Sequence, residues 1–313
     1  MTAAPLTEHS LSAERLHYAW DNSLEPVLEI DPSDVVTIET WDASGHSYSR
    51  DSTSADVGKP RPFTGHALTG PIAVRGARPG DTLVVEVLEV KPAAWGWTTL
   101  GPVGGLLKDD FPEPYLRIWD LSDERFARGI EGVRVPLAPF CGVMGVALAE
   151  PGQHSTIPPR RVGGNMDVRQ LTAGSTLYLP IECKGALFSV GDAHAVQGDG
   201  EVCLTAVEMD STTTLRIGLS PNTIHEPQLR LSAPPTTIGG PYHGCTAHAP
   251  DLLEAARNAT RYLIEWLGQK ARLSPEDAYA LCSIAAELRI SQLVDLPNVT
   301  VTAFLPLNVL NDA

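Results

Sequence analysis

One segment of the chain concentrates residues that can bind a cation and move protons. It reads GDAHAVQGDGE, residues 191–201, and holds one histidine, three acids and one glutamine between glycines. Asp192 and His194 are two positions apart, so on an extended segment both side chains leave the same face and converge on one ion. Imidazole and carboxylate ligands suit zinc or another divalent first-row ion, and carboxylate-rich sites also take calcium or manganese. A solvated turn with one incidental histidine is the alternative.

The end of this segment predicts a turn that brings a third group to the site. Asp199-Gly200 is a dipeptide favoured in two-residue hairpins. Such a hairpin would fold Glu201 back beside the strand that carries Asp192 and His194.

A second candidate segment, PPRRVGGNMDVRQ, covers residues 158–170. Gly163 and Gly164 let the backbone approach a ligand closely, and Asn165 and Asp167 are again two positions apart. Asp167 would give the site one more carboxylate. The alternative is an Asx turn, in which both side chains bond only their own backbone.

The elements that must position these residues are mostly strands before residue 240. The 27 glycines and 26 prolines indicate many tight turns. Strands are predicted in DPSDVVTIET from Asp31, RPGDTLVVEVLEV from Arg78, VRVPLA around Val133, GVMGVALA around Val143, TAGSTLYLPI from Thr172, EVCLTAVEM from Glu201 and TTTLRIGLS from Thr212. The predicted fold is therefore mainly β, with a sandwich-like or barrel-like body.

The pattern becomes helical after Pro250. DLLEAARNATRYLIEWLGQKA predicts an amphipathic helix from Asp251, and SPEDAYALCSIAAELRI predicts a second helix with Ser274 as N-cap and Pro275 at its first position. The predicted apolar stripes are Leu252, Ala256, Ala259, Leu263 and Trp266 in the first helix, and Leu281, Ile284, Ala285 and Leu288 in the second. A returning strand is predicted in NVTVTAFLPL from Asn298.

These patterns predict two regions. Residues 1–240 form a β-rich catalytic body, and residues 241–313 form a small α+β portion, with a helical pair and a returning strand docked on that body. The proline-rich stretch SAPPTTIGGPYHG, residues 232–244, is the candidate boundary.

Composition excludes several classes of partner. The formal net charge is −15 with only 23 Lys and Arg residues, which argues against binding a phosphate backbone. No apolar run approaches the roughly 20 residues of a membrane span, and the N-terminal stretch lacks the pattern of a secretory signal. The five cysteines are widely spaced without a CxxC pair, so no disulfide framework or thiolate zinc site is indicated. We expect a cytoplasmic protein with a small-molecule substrate.

The motifs, in this order, resemble the acetamidase/formamidase family. The matching stretches span nearly the whole chain: HYAWDNSLEPVLEIDPSDVV, TGPIAVRGARPGDTL, GWT at residues 96–98, FCGVMGVALA, PPRRVGGNMD, GDAHAVQGDGEV and SPEDAYALCSIAAELRISQLVD. NMD followed by GDxHxxQGDGE is the most specific part. The resemblance implies a mostly β fold that carries a metal and hydrolyses short-chain amides, such as formamide or acetamide, to the carboxylic acid and ammonia. It also implies a cytoplasmic homo-oligomer.

The resemblance further implies a set of site residues, to which we assign roles. Asp167, Asp192 and His194 are predicted to bind a divalent cation, zinc in the first place with calcium as the alternative. Glu201 is predicted to act as the general base that later protonates the leaving ammonia. Asn165 is predicted to orient the substrate or to stabilise an oxyanion.

Three further residues complete the predicted site. His17, from the N-terminal motif, is a catalytic candidate, and Gln197 and His66 are predicted to bind substrate. Both histidines have an alternative interpretation, since a lone histidine near aromatic residues is often packed in the core.

The same sequence argues against several other functions. A serine amidase or a nucleotide-binding protein would need a Ser-rich, GxSxG or Gly-rich phosphate motif, and the sequence contains none. Glu182, Cys183 and Lys184 are consecutive in a predicted strand and would not converge as a nitrilase-type triad. The alternatives that stay open are a cupin-like metalloenzyme and a non-catalytic β protein that binds a metal or a sugar.

Overall fold

The structure is a computed structural model that describes residues 7–231 and 241–310. Strands dominate the described residues, as turn-rich β-prone segments predict. The strands, in chain order, are β1 (Glu8–Leu11), β2 (Leu16–His17), β3 (Ala19–Trp20), β4 (Leu28–Ile30), β5 (Asp34–Thr40), β6 (Leu68–Val74), β7 (Thr82–Pro92), β8 (Trp95–Leu100), β9 (Tyr115–Asp120), β10 (Phe126–Ala127), β11 (Val135–Pro136), β12 (Phe140–Val146), β13 (His154–Ser155), β14 (Gly163–Asn165), β15 (Thr176–Pro180), β16 (Phe188–His194), β17 (Glu208–Met209), β18 (Ser211–Ser220), β19 (Gln228–Leu231), β20 (Tyr242–Ala249), β21 (Glu287–Gln292) and β22 (Val299–Pro306). The helices are α1 (Leu252–Ala271) and α2 (Pro275–Ala285), with 3₁₀ turns at Ser54–Asp56 and Leu307–Val309.

Two large sheets organise these strands. The first sheet has the order β1–β5–β18–β7–β15–β19–β20–β22–β21. The second has the order β14–β12–β16–β17–β8–β9, and β6 joins it by pairing with β16, β2 and β4. Two small two-stranded sheets pair β10 with β11 and β13 with β3.

Both sheets contribute to one apolar core. Val85 and Leu215 of the first sheet belong to the same buried cluster as Met144 and Phe188 of the second. Packing of two sheets through a shared core is the arrangement of a β-sandwich. The prediction of a mainly β fold with two helices near the C-terminus is therefore confirmed.

Most predicted strands form, with two exceptions. VRVPLA yields only the two-residue strand β11, and EVCLTAVEM yields only β17 at its end. The backbone of the latter segment bonds to a neighbouring loop, where Leu106 N–H donates to Val202 O at 2.8 Å. Thr205 Oγ1 accepts from Thr99 N–H at 3.0 Å. The prediction of a continuous strand from Glu201 is wrong, because these loop partners replace a strand ladder.

Both predicted helices are present, the second with its predicted N-cap Ser274 and the first with Asp251 as its N-cap. The Asp251 carboxylate accepts from Glu254 N–H at 2.9 Å, and Ser274 Oγ accepts from Asp277 N–H at 3.1 Å. These caps satisfy backbone donors that the first helical turn leaves without partners.

The predicted apolar stripes need correction. The buried residues of α1 are Ala255, Ala259, Leu263 and Leu267, whereas Leu252 is 38% exposed. In α2 the buried residues are Ala278 and Cys282, while Ile284 is 82% exposed and Leu288 lies in β21. Small residues on both helices share a cluster with strands β20 and β22. The small side chains on these faces let both helices approach the sheet closely, so these faces are buried in place of the predicted ones.

The C-terminal helices and strands extend the first sheet. β19 pairs with β20 in antiparallel register, so strands before and after residue 240 are neighbours. The candidate boundary SAPPTTIGGPYHG lies largely in residues 232–240, outside the described residues, and the division at residue 240 stays a prediction. Neither described helix combines the length and apolar character that crossing a membrane would require.

Candidate active site

The candidate site lies where β12 and β16 run side by side in the second sheet. The pairing of Cys141 with Ala193 and of Val143 with Gly191 sets Gly142 opposite Asp192. Asp192 is buried and has a φ of 56°, a left-handed conformation that is uncommon outside glycine. The strand thus departs from a regular pleat at the carboxylate that faces Gly142.

His194, at the end of β16, is the centre of a buried cluster. Its Nε2 lies 3.1 Å from Glu208 Oε2 and 3.4 Å from Asp192 Oδ1. The pairing of β16 with β17 sets Glu208 directly opposite His194. All three residues are at most 3% exposed. Asp192 and His194 therefore converge, as their spacing predicts.

Gln197 fixes the orientation of the His194 ring. Its amide nitrogen donates to Asp167 O at 3.0 Å and to Ser291 O at 3.4 Å. These two acceptors turn Gln197 Oε1 toward His194 Nδ1, at 2.9 Å. Because Oε1 can only accept, Nδ1 carries the hydrogen, and Nε2 faces Asp192 and Glu208.

A second group of acids lies on the Nδ1 side of the ring. Asp167 Oδ1 is 3.9 Å from His194 Nδ1, and ligand atoms of Asp167, His194 and Glu201 lie within 4.8 Å of one another. Among the described residues, neither carboxylate oxygen of Asp167 has a hydrogen-bond partner.

Two acids beside Asp167 have shifted pKa values. Burial first, and the carboxylate of Asp167 second, raise the pKa of both Glu201 and Asp295 well above the usual range.

Charge and burial act in opposite directions on the Nε2 side. Burial lowers the pKa of His194, but attraction to Glu208 and Asp192 outweighs it and raises this pKa well above its ordinary value. Burial raises the pKa of Glu208 to about 8 against the opposing effect of His194. For Asp192, burial is outweighed by His194 and His66, which lower its pKa. The shifts of His194 and Glu208 thus both favour the protonated form.

Gly142 leaves space into which these side chains point. A methyl group on Gly142 would lie 2.3 Å from Asp167 Oδ1, 2.7 Å from Asp192 Oδ2 and 2.8 Å from His194 Cε1. All three predicted cation ligands therefore border the space beside Gly142, while the ligand atoms of Asp167 and Asp192 belong to two groups that share His194. Buried carboxylate oxygens without partners are costly unless a cation or a donor compensates them.

The donor set fits a divalent cation. Asp192, His194 and Glu208 offer ligand atoms within 4.8 Å of one another, as do Asp167, His194 and Glu201. One imidazole with carboxylates suits zinc and other first-row ions, and the excess of carboxylates also suits calcium. The predicted ligand set of Asp167, Asp192 and His194 stays a prediction, to which the geometry adds Glu208.

The remaining predicted residues lie at different distances from the cluster. His66 Nε2 is 4.0 Å from Asp192 Oδ2, and the His66 side chain is 15% exposed, so it lies at the rim. Asn165, in β14, is buried, and its Oδ1 has no partner among the described residues. His17 Nε2 bonds Ser189 Oγ at 2.8 Å, and its Nδ1 bonds Ala19 O at 2.9 Å. Both ring nitrogens of His17 are thus engaged in packing contacts, and its catalytic role stays a prediction.

The turn at Asp199-Gly200 differs from the predicted hairpin. Gly200 forms a parallel bridge with Gln292, and Gly200 N–H donates to Ser291 O at 3.2 Å. Glu201 reaches the cluster through this long-range contact and a φ of 47°. Glu201 N–H donates to Gly198 O at 3.4 Å, so a turn closes at Asp199-Gly200, but no strand follows it until β17. The predicted hairpin is therefore wrong, because the chain after the turn bonds to β21 and a neighbouring loop instead of pairing with β16.

Two site residues were missed by sequence reasoning. Glu208 is distinguished only by its register opposite His194, and Asp295 only by its proximity to Asp167 in space. The Asp295 backbone N–H donates to Gln292 Oε1 at 2.9 Å, which holds the loop after β21 in place. Neither the register of Glu208 nor the position of Asp295 can be predicted from the spacing of residues in the sequence.

The chain is similar to one protein family and to several solved structures. A family model described as the Acetamidase/Formamidase family matches residues 5–153 and 148–312. Formamidase from Methylophilus methylotrophus is 28% identical, covering 94% of this chain and 89% of that protein. The crystal structure of acetamidase from Yersinia enterocolitica has a TM-score of 0.88 and 31% identity, covering 99% of this chain and 94% of that one. Acetamidase from Bacillus halodurans has a TM-score of 0.87 and 30% identity, covering 96% and 98%.

Proposed function

This chain belongs to the acetamidase/formamidase family, and from that premise we propose that it hydrolyses a short aliphatic amide, of the formamide or acetamide type, to the carboxylate and ammonia. Family membership confirms the resemblance predicted from the sequence motifs. The observation that carries the proposal is the buried cluster of carboxylates around His194, in which Asp167, Glu201 and Asp295 are buried together. Such a cluster does not stabilise the core, since burying unpaired charges costs free energy.

We further propose that Asp167, Asp192 and His194 hold a divalent cation, together with Glu208. Zinc is the first candidate and calcium the second. When bound, zinc lowers the pKa of water to about 7 and polarises an amide carbonyl as a Lewis acid. Gln197 supports this role, because its hydrogen bond to Nδ1 leaves Nε2 of His194 as the ligand atom.

The protein's own groups would move the protons of the reaction. Glu201 is buried beside Asp167, and its raised pKa suits a carboxyl group that takes a proton from water and returns it to the leaving nitrogen. An amide needs this transfer because its nitrogen is a poor leaving group until it is protonated.

Positioning of the substrate falls to groups at the edge of the cluster. Asn165 stays the proposed orienting residue, and His66 the proposed substrate-binding residue at the rim. Gln197 is assigned differently from the sequence prediction, because both ends of its amide already bond protein groups. We propose that it positions His194 instead of contacting the substrate.

An ammonia-release assay over a small amide panel tests this proposal, with elemental analysis of the preparation before and after chelation. We expect release from formamide or acetamide, a stoichiometric divalent metal, and loss of activity when that metal is removed. Asp192→Asn should abolish both metal binding and activity. Asp199→Asn is the matched control, since Asp199 lies in the same motif but pairs with Arg289 and Arg169.

Two outcomes would contradict the proposal in different ways. Full activity after complete metal removal would overturn the metal assignment while leaving amide hydrolysis intact. Metal binding without turnover of any amide, accompanied by a lower melting temperature on chelation, would instead favour a non-catalytic metal-binding protein.

A further inference from the structure

Thr156 is a buried residue that contacts His66 twice. It follows strand β13 and is fully buried. Its Oγ1 lies 2.8 Å from the backbone nitrogen of His66 and 3.2 Å from His66 Nδ1. A side chain on Gly65, which has a φ of 85°, would lie 2.2 Å from the same oxygen. Close approach of the two segments therefore depends on glycine beside the histidine.

The hydrogen-bonding capacity of Thr156 determines where His66 carries its hydrogen. A hydroxyl group has one hydrogen to donate and two lone pairs to accept. The backbone N–H of His66 can only donate, so it takes one lone pair. Among residues 7–231 and 241–310, the other partner of Oγ1 is His66 Nδ1. If Nδ1 were also a donor, the buried hydroxyl hydrogen would have no acceptor, which is unfavourable.

The hydroxyl therefore donates to Nδ1, and the His66 ring carries its hydrogen on Nε2. Nε2 points toward the rim of the cluster, 4.0 Å from Asp192 Oδ2. An N–H group at this position matches a hydrogen-bond acceptor on the substrate. In a primary amide the carbonyl oxygen is the strong acceptor, and the NH₂ group is a donor.

We propose that Thr156 is a positioning residue that holds His66 with its hydrogen on Nε2, so that His66 donates a hydrogen bond to the carbonyl oxygen of the amide. This inference rests on the proposed amidase function for its substrate. A donor aimed at a carbonyl oxygen stabilises the negative charge that develops there during attack. Thr156 thereby sets which end of the amide faces His66.

Two variants separate the hydroxyl group from the volume of the side chain. Thr156→Val keeps the shape and removes the hydroxyl, and Thr156→Ser keeps the hydroxyl. Ser155→Ala is the control, because Ser155 Oγ is exposed and accepts from Ile157 N–H at 3.2 Å instead of contacting His66.

The first measurement is the tautomer of His66 by ¹⁵N NMR of histidine-labelled protein, with the His66 signal assigned by its loss in His66→Gln. We expect the Nε2–H form with a hydrogen-bonded Nδ1 in the wild type, T156S and S155A. In T156V the Nδ1 resonance should shift to that of a nitrogen without this bond, with a mixed tautomer.

The second measurement is steady-state kinetics on formamide or acetamide. T156V should lower kcat about 10-fold with little change in KM, a smaller loss than the 10²–10³ expected for removal of a direct donor. T156S should recover most of this loss, and S155A should match the wild type. Wild-type tautomer and kcat in T156V, or a folded T156S that shows no recovery, would overturn the proposal.

The NMR result also separates this proposal from the proposed function. If the wild type releases no ammonia from any amide, the amidase assignment and the carbonyl contact fall. The spectra would still decide whether Thr156 sets the tautomer of His66.

Discussion

Gly142→Ala is the most direct test of the convergence at the candidate site. Gly142 lies in β12 and does not have a left-handed φ, so its backbone accepts alanine without strain. The added methyl group would enter the space between Asp167, Asp192 and His194. The change is therefore confined to the cluster and leaves the strand ladder in place.

The structure sets the size of the expected effect. A methyl carbon 2.3 Å from Asp167 Oδ1 is closer than the 3.0 Å limit for such contacts, so the oxygen must retreat by about 0.7 Å. Asp192 Oδ2 at 2.7 Å and His194 Cε1 at 2.8 Å must also move. A misplacement of about 1 Å at a reaction centre costs about 100-fold in rate. We expect kcat/KM to fall by about that factor, or about 2.7 kcal/mol of transition-state stabilisation.

The assay compares ammonia release, metal content and melting temperature of G142A with those of Gly198→Ala. Gly198 lies in the same motif as Asp192, but a methyl group there would meet nothing within 4 Å. G198A should therefore retain activity, whereas G142A should lose activity and bind metal more weakly at a similar melting temperature. Wild-type kcat/KM in a folded G142A would refute the idea that the three side chains act together at this position.

Two other substitutions give separate tests. Glu201→Gln should lower kcat by 10²–10⁴ without loss of metal, because it removes a proton carrier and keeps the shape of the side chain; near-normal turnover would exclude Glu201 as the base. His243→Phe should alter acid stability. His243 is stacked on Trp266 with ring centroids 3.7 Å apart, and burial lowers its pKa to about 3. The neutral ring therefore stabilises the fold above the ordinary histidine pKa of about 6.5, and each pH unit below it costs about 1.4 kcal/mol until about pH 3. The melting temperature of the wild type should fall more steeply than that of H243F between pH 6.5 and 4; parallel curves would contradict this assignment.

Strand periodicity and capping preferences predicted the features of the structure that depend only on residues close together in the chain. The two-residue period of a strand placed Asp192 and His194 on one face, and side-chain chemistry identified Ser274 as a helix cap. These features need no knowledge of the remainder of the fold.

The features that the sequence did not predict depend on contacts between segments that are distant in sequence. Glu208 enters the site because β17 pairs with β16. Glu201 was predicted to lie near the site, but it is brought there by the bridge between Gly200 and Gln292 and not by the predicted hairpin. The buried face of α1 keeps Ala259 and Leu263 of its predicted stripe but has Ala255 in place of Ala256 and Leu267 in place of Trp266, and Leu252 is exposed. Tertiary contacts of this kind override local periodicity.

The contacts of β21 with the loop that carries Gln197 and Glu201 determine when the site can be completed during translation. A ribosome delivers the chain from its N-terminus, and domains fold as their residues become available. Ser291 and Gln292 support that loop through Gln197 Nε2 and Gly200, nearly a hundred residues later in the chain. Asp167, Asp192 and His194 are therefore synthesised well before Ser291 and Gln292, the residues that support the neighbouring loop. The part of the site that depends on Ser291 and Gln292 is therefore completed only after strand β21 has been synthesised.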